Sequence, residues 1–268
     1  MLKLSLFLGF FGLSALSALS SAAMGADDQP WQHERKILGV KHLEPIEAVA
    51  GTPVYDLGAA VARMEKVDPG TDFGIGYCTA FHIGPHLFMT NQHCVLPCDQ
   101  MNIRLGYEKA LSEGQQQIYR CTSVVYSNQA LDYALIAADP ALQGDAAKEI
   151  AFPTLTVYAG PIHDGDAVYA ISHASGGYKE IDRSSACTLG SVTVFHTDTG
   201  RDTIKHRCDT LTGSSGAPLL DRDHGYVVAL HWAGIPDQYN MAIPMSLIIA
   251  DMQANLTPAV LGQIAVAP

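Results

Sequence analysis

Residues 208–218 read CDTLTGSSGAP, and this stretch decides how the rest of the chain is interpreted. Glycine costs about 1 kcal/mol relative to alanine inside a helix, so the two glycines around Ser214 and Ser215 disfavour a helix here. Gly, Ser and Pro are common in ordinary surface turns, which is one interpretation. The other is a tightly bent backbone that presents Ser215 as a reactive hydroxyl.

Two further stretches supply the groups that a reactive serine needs. MTNQHCV (89–95) places His93 directly after an apolar run, and ALDYALIA (130–137) places Asp132 at the start of another. A serine hydroxyl is a weak nucleophile without an adjacent base. That base in turn needs a buried carboxylate, which fixes its tautomer and stabilises its protonated form. His93, Asp132 and Ser215 therefore predict a general base, an orienting acid and a nucleophile.

The blocks TNQHC, LDYAL and TGSSGAP, in this order and spacing, resemble the signature blocks of chymotrypsin-fold (trypsin-like) serine proteases. The resemblance extends from about Ala59 to Leu256. It implies an all-β protein of two six-stranded antiparallel β-barrels followed by a C-terminal α-helix. It also implies that the N–H groups of Gly213 and Ser215 bind the oxyanion, that the substrates are polypeptides, and that no cofactor or metal is needed.

The chain has six cysteines, and an even number in an exported protein predicts three disulfides among 15 possible pairings. His beside Cys in NQHC (91–94) and KHRC (205–208) raises zinc binding as an alternative, but zinc sites use ligands paired at short, regular spacing. Only Cys94 and Cys98 approach that spacing. The family resemblance pairs Cys78 with Cys94; proximity in sequence then pairs Cys98 with Cys121 and Cys187 with Cys208.

Departures from the digestive members of the family favour its bacterial glutamyl-endopeptidase-like branch. Ser214 stands where those members have an aspartate that binds a newly freed N-terminus, and Ala217 replaces a second glycine. LHWAGIPDQYNMAIP (230–244) also resembles this branch, in which a His and a Thr contact an acidic substrate side chain. The matching positions are His231 and Thr210.

The residue preference at the cleavage site has two interpretations. Asp209 lies six residues before Ser215, where trypsin-like enzymes attract Lys or Arg, whereas His231 favours Glu or Asp. We favour the acidic preference. Trp232 is either core or pocket wall, and the segment from Trp232 to Gly234 is a candidate for pairing with an extended substrate backbone.

The composition and the N-terminus limit where the protein works. A net charge of −11 without a basic run excludes the electrostatic pattern of a nucleic-acid-binding protein. LSLFLGFFGLSALSALSSAAMGA (4–26) predicts a signal peptide over residues 1–26, cleaved after Ala23 or Ala26. Its apolar part is short for a membrane span. We therefore predict a secreted or periplasmic monomer without stable membrane insertion.

The remaining pattern gives the domain organisation. Residues 27–50, charged and interrupted by prolines, are interpreted as an extension or propeptide, and residues 51–268 as a peptidase domain. Short β-branched runs separated by turn residues indicate a barrel or a sandwich. The family resemblance implies barrel one over about 51–145 and barrel two over about 146–244, and residues 138–153 are the best candidate for the connection. Apolar residues at helical spacing predict a helix over about 245–256. The other histidines are expected to be structural: His82, His86, His163, His173, His196, His206 and His224.

The sequence thus predicts a secreted serine endopeptidase that works through an acyl-enzyme. A catalytically inactive trypsin-like homologue that acts as a binding protein is the alternative. A lipase-type esterase is disfavoured because Ala217 interrupts G-x-S-x-G and the order of the three groups differs.

Overall fold

The computed structural model describes residues 37, 40–68, 74–141, 148–191, 194–196 and 201–268. The predicted signal peptide, with Ala23 and Ala26, lies outside the described residues, as does most of the segment 27–39. In the described ranges, no helix is long and apolar enough to span a membrane.

Short strands make up most of the regular structure. In chain order they are β1 (Glu44–Pro45), β2 (Val61–Val67), β3 (Gly74–Gly84), β4 (Leu87–Thr90), β5 (Met101–Leu105), β6 (Gln117–Asn128), β7 (Tyr133–Pro140), β8 (Val157–Tyr158), β9 (Val168–Ser172), β10 (Glu180–Asp182), β11 (Val194–His196), β12 (Arg201–His206), β13 (Pro218–Asp221), β14 (Val227–Ile235), β15 (Tyr239–Pro244) and β16 (Val266–Ala267). The α-helices are α1 (Pro53–Gly58), α2 (Met245–Asn255) and α3 (Pro258–Leu261).

The first six long strands form a closed antiparallel barrel in the order β2-β3-β4-β7-β6-β5. Its interior is apolar, with Met64, Phe88, Ile103 and Tyr119 all buried. All four residues of β4 and the first four of β7 are buried, so both faces of these strands are covered, because successive side chains point to opposite faces. In β6, buried and more exposed residues alternate only over its first four positions. The predicted first barrel is confirmed.

The second half of the chain forms a ten-stranded sheet whose main path is β1-β10-β9-β13-β14-β15-β12-β11. Residues 187–191 link its two sides, because Thr188 bridges to Ala167 beside β9 and Leu189 bridges to His206 in β12. The sheet therefore curls back on itself through an irregular segment. This arrangement is consistent with the second barrel of a chymotrypsin-like fold.

One apolar core joins the two halves. Phe81 and Leu135 from the first barrel belong to the same buried cluster as Leu220 and Leu230 from the second. Helix α2 begins at Met245, directly after Pro244, and adds the buried residues Met245, Ile248, Ile249 and Met252 to this cluster. The predicted C-terminal helix is confirmed, and it anchors the chain end to the contact between the barrels.

The residues just before the predicted domain boundary at 51 pack onto the second sheet. Glu44 pairs with Ile181, Lys41 Nζ lies 3.1 Å from Glu180 Oε1, and Ile46 is fully buried in the shared core. Charge and proline content define the boundary in the sequence, and neither property detects a single strand that is held by long-range pairing. The packed body therefore includes the residues from about 41 onward.

Three disulfides reinforce this architecture, and the described residues include no free cysteine. They join the predicted pairs Cys78–Cys94, Cys98–Cys121 and Cys187–Cys208. The first connects β3 to the turn that follows β4, and the third ties the closing segment of the second sheet to the chain before Ser215. Each bridge restricts the unfolded chain and contributes about 3 kcal/mol in the loop-entropy account.

Candidate active site

His93 and Asp132 meet at one edge of the first barrel because the strands beside them pair. β4 and β7 are antiparallel, with Thr90 opposite Ala134, so the residues after β4 lie next to the residues before β7. His93 occupies a short 3-10 turn over Gln92–Cys94. Strand register thus brings together two groups that are 39 residues apart in the chain.

The Asp132 carboxylate holds His93 at two points. Asp132 Oδ2 lies 2.8 Å from His93 Nδ1, and Asp132 Oδ1 accepts the backbone N–H of His93 at 3.0 Å. Asn91 Nδ2 donates to the Asp132 carbonyl at 2.9 Å. Asp132 is 1% exposed and the His93 side chain 44%. A buried carboxylate therefore fixes the orientation of an imidazole whose outer face is open to solvent.

Ser215 lies on a loop of the second barrel that strand β3 of the first barrel braces. The N–H of Thr79 donates to the Ser215 carbonyl at 2.8 Å, and Thr79 Oγ1 donates to the Gly213 carbonyl at 2.8 Å. Gly213 and Gly216 have φ of +92° and +86°, a region that favours glycine. A Cβ at Gly216 would lie 2.1 Å from the Thr79 carbonyl oxygen. The positive φ accounts for the glycine on each side of the two serines, and the close approach of Thr79 adds a second reason at Gly216.

The backbone N–H groups of this loop alternate in what they bind. Ser214 N–H donates to the Leu211 carbonyl, and Gly216 N–H to the His231 carbonyl, both at 2.9 Å. Across the described ranges, the N–H groups of Gly213 and Ser215 donate to no protein acceptor. Two backbone donors on either side of Ser214 are therefore available to an anionic oxygen.

The structure places Ser215 beside the turn that carries His93. Cys94 Sγ lies 3.9 Å from the Ser215 carbonyl oxygen, and the half-buried Ser215 hydroxyl donates to the Trp232 carbonyl at 3.4 Å. The main chain of Ser215 thus contacts the neighbour of His93, while its hydroxyl is hydrogen-bonded to β14. Among the described residues there is no hydrogen bond between the side chains of His93 and Ser215. In enzymes without substrate, such bonds are often long or poorly aligned and tighten when substrate binds.

Ser214 has a structural environment of its own. It is fully buried, its hydroxyl lies 2.9 Å from Ser172 Oγ, and it accepts the N–H of Leu211 at 3.2 Å. These neutral hydrogen bonds hold the position at which the digestive enzymes have a carboxylate. A charged N-terminus has no counter-ion at this residue.

Asp209 faces the N-terminal segment. Its Oδ2 accepts the backbone N–H of His42 at 2.6 Å and lies 3.4 Å from His42 Nδ1, and the carboxylate is 1% exposed. The N–H of Asp209 donates to Asp182 at 2.7 Å. Sequence spacing predicts contact with substrate; in the structure, one partner of this carboxylate lies 167 residues away in the chain.

The other candidate specificity residues lie within the second barrel. His231 is fully buried, and its Nδ1 is 3.0 Å from Nε2 of His206, which is also fully buried. Thr210 is buried, and its Oγ1 has no hydrogen-bond partner within the part of the chain that the structure describes. The sequence gives His206 no role, because it lies 25 residues from His231 and neither residue carries a local motif that predicts the contact.

Trp232 and Gly234 lie on strand β14. Trp232 is 8% exposed and belongs to the core shared by the barrels, and its Nε1 donates to Thr203 Oγ1 at 3.1 Å. Gly234 pairs with Asn240 on β15. Trp232 is therefore a core residue through its side chain and a contact of Ser215 through its carbonyl.

One further buried histidine lies next to the Ser215 loop. His173 is completely buried, and its Nδ1 donates to the Gly177 carbonyl at 3.0 Å. Burial, reinforced by the charge of Lys179, lowers the pKa of His173 to about 3. It remains a neutral structural group near neutral pH.

A closed antiparallel barrel, a second curled sheet and a shared apolar core define a chymotrypsin-like fold. Within it, the His93–Asp132 pair and the Ser215 loop approach each other from different barrels. The chain matches the model of the family described as Trypsin-like peptidase domain over residues 78–230. This match covers more than half of the chain, which therefore belongs to the trypsin-like peptidase domain family.

Two relatives are similar in sequence. The uncharacterized protein y4fB of Sinorhizobium fredii (strain NBRC 101917 / NGR234) is 28% identical over 199 residues, which are 67% of this chain and 28% of that protein. The secreted RxLR effector protein 73 of Plasmopara viticola is 27% identical over 213 residues, which are 73% of this chain and 49% of that protein. The chain spans less than half the length of both relatives.

Solved structures share the fold. The inactive form of the Rv3671c protease of M. tuberculosis is 19% identical, with a TM-score of 0.55 over 81% of this chain and 99% of that chain. The serine endoprotease from Yersinia pestis is 15% identical, with a TM-score of 0.54 over 75% of this chain and 64% of that chain. These similarities establish the fold alone. They do not distinguish the glutamyl-endopeptidase-like branch from other branches of the family, so membership in that branch stays a prediction.

Proposed function

We propose that this chain is an exported serine endopeptidase in which Ser215 attacks the peptide carbonyl. His93 takes the proton of Ser215 and then gives it to the leaving amine, while Asp132 orients the imidazole and stabilises its protonated form. Water, activated by His93, hydrolyses the acyl-enzyme. The observation that carries this proposal is that the buried Asp132 carboxylate lies 2.8 Å from His93 Nδ1. His93 in turn lies on the short turn that contacts the Ser215 loop.

The two uncommitted N–H groups of Gly213 and Ser215 supply electrostatic stabilisation in this mechanism. Negative charge develops on the carbonyl oxygen as Ser215 attacks, and preorganised donors bind that charge without further rearrangement. One such donor contributes roughly 3 kcal/mol to the transition state. Every group required for acyl transfer is present in the sequence, so the inactive-homologue alternative is not favoured.

For specificity we propose a preference for Glu or Asp before the scissile bond. His231 and Thr210 are the groups that would bind the acidic side chain, and His206 is positioned to share the proton of His231. The Asp209 carboxylate supports this choice because it is 1% exposed and accepts a hydrogen bond from the backbone N–H of His42, which favours a role within the protein over contact with a basic substrate side chain.

Export and a monomeric state complete the proposal. Three disulfides are typical of proteins from oxidising compartments, which supports a secreted or periplasmic location. Because β1 and Ile46 are part of the packed body, proteolytic maturation is expected to end before about residue 41. A monomer is expected on gel filtration.

A peptide-library cleavage profile of wild type and Ser215→Ala tests the function, together with labelling by a fluorophosphonate, which reacts with activated serines. We expect wild type to cleave after Glu or Asp and to be labelled, and Ser215→Ala to do neither. Equal cleavage by both proteins would show that Ser215 is not the nucleophile. Cleavage after Arg or Lys would overturn only the specificity, and Ser215→Thr serves as the conservative control for folding.

A further inference from the structure

A buried charge cluster in the first barrel is connected to the Ser215 loop. Glu65 is fully buried and accepts hydrogen bonds from two arginines. Arg104 binds it through Nε at 2.7 Å and Nη2 at 3.1 Å, and Arg63 binds it through Nη1. A carboxylate that is held by two guanidinium groups fixes both arginine side chains, because charge-assisted hydrogen bonds are strong and directional.

Arg63 also contacts the second barrel. Its Nε donates to the Gly176 carbonyl at 2.7 Å, and its guanidinium carbon lies 4.2 Å from the centre of the Tyr107 ring. Gly176 belongs to a short turn over Ala174–Gly176 that contains Ser175 in the left-handed region, with φ of 56°. Arg63 therefore fixes a turn whose backbone is held in an uncommon conformation.

That turn touches the Ser215 loop directly. The N–H of Ser175 donates to the Thr212 carbonyl at 2.5 Å, and a Cβ on Gly213 would lie 2.6 Å from the Gly176 nitrogen. The described residues include no cis peptide bond, and the C=O and N–H of a trans peptide point in opposite directions. Holding the Thr212 carbonyl on one side therefore directs the N–H of Gly213 to the other side.

We infer that Arg63 is a positioning residue for the oxyanion site. It fixes the Gly176 turn, the turn fixes the Thr212–Gly213 peptide plane, and that plane aims one of the two N–H groups that bind the developing oxyanion. This inference rests on the proposed function. It assigns a catalytic consequence to a buried ion cluster that would otherwise be read as a stability element of the first barrel.

The test measures kcat and KM for wild type, Arg63→Met, Arg63→Lys and the control Arg120→Met, which removes an exposed arginine from the same barrel. Complete loss of one oxyanion donor costs about 100- to 1,000-fold in kcat. Arg63→Met should misalign the Gly213 N–H without removing it, so the expected loss of kcat is smaller, about 10- to 100-fold. KM should stay within about 3-fold of the wild-type value. The fluorophosphonate labelling rate should fall in parallel, and Arg63→Lys should restore part of both.

Gly76→Ala perturbs the same contact from a different residue. Its Cβ would lie 2.2 Å from Arg63 Nε and 2.4 Å from the Gly176 oxygen, so it should reproduce the loss of kcat and add little to Arg63→Met in the double variant. This variant and Arg63→Lys carry the test if Arg63→Met fails to fold, which thermal unfolding will reveal.

A folded Arg63→Met or Gly76→Ala protein that retains kcat within about 2-fold of wild type, or that changes only KM, would overturn the inference. These outcomes are distinct from failure of the proposed function, in which wild type itself would neither cleave nor be labelled.

Discussion

Asp132→Asn changes the side chain that holds His93, and we expect it to remove most of the cleavage activity. The carboxylate has one oxygen for the backbone N–H of His93 and one for Nδ1. An asparagine has only one acceptor oxygen, so its NH₂ group would face one of these donors. If it faces Nδ1, it favours the tautomer in which Nε2 carries the proton and cannot act as a base.

The size of the effect follows from the geometry. Opposite unit charges about 3 Å apart attract by about 5 kcal/mol at an effective dielectric constant of about 20. Because 44% of the His93 side chain is exposed, water screens part of this attraction, and we take about 4 kcal/mol as the stabilisation of the imidazolium in the transition state. That value corresponds to a loss of about 1,000-fold in kcat/KM.

The assay is steady-state hydrolysis of the best peptide from the library, with Ser215→Ala as the inactive reference. Asp139→Asn is the matched control, because Asp139 Oδ1 lies 2.9 Å from His86 Nδ1 in an exposed pair away from the site. We expect the control to retain wild-type kcat/KM within about 2-fold, as surface ion pairs contribute little. If folded Asp132→Asn retains more than a tenth of the wild-type activity, the assignment of Asp132 is wrong.

Three further predictions concern stability and specificity. Gly216→Ala puts a Cβ 2.1 Å from the Thr79 carbonyl oxygen at a φ of +86°, so urea unfolding should show a loss of about 3 kcal/mol or more, well beyond an ordinary surface change. Asp209→Asn weakens the contact with His42 and should cost about 1–2 kcal/mol of stability. A library profile of this variant should show the same residue preference as wild type. If wild type prefers Arg or Lys and the variant loses that preference, Asp209 binds the substrate side chain. Burial lowers the pKa of His173 to about 3. Below about pH 6.5 the unfolded chain therefore binds a proton at this histidine while the native state does not, and the free energy of unfolding falls by about 2 kcal/mol between pH 7 and pH 5. His173→Gln should flatten that acid limb in chemical unfolding measured from pH 7 to pH 5, and an equal slope in both proteins would contradict the assignment.

The candidate catalytic residues could be proposed from sequence because acyl-transfer chemistry constrains residue type, order and neighbours together. His93, Asp132 and Ser215 each follow or precede an apolar strand, and barrel topology then brings those strand ends to one region. Helix α2 could also be predicted from sequence, because Pro244 is followed by apolar residues at helical spacing that begin with Met245 and Ile248. Local patterns of this kind can be recognised in the sequence without knowledge of the structure.

The features that sequence did not reveal depend on long-range contacts. Asp209 is paired with His42, and Arg63 reaches Gly176 across 113 positions of the chain, yet no local motif marks either contact. The closure of the second sheet by residues 187–191 is hidden because that segment forms isolated bridges instead of a regular strand. A buried acid such as Glu65 reads in sequence as a surface residue.

The hydrogen bonds from Thr79 to the Ser215 loop limit how the chain can be divided into functional fragments. The Thr79 amide and hydroxyl, both from the N-terminal half, bind the main chain on either side of Ser214. A fragment that contains only residues from about 148 onward would keep the nucleophile but lose the partner that shapes its loop. Activity in split or domain-swapped forms of this chain should therefore return only when β3 is supplied in trans.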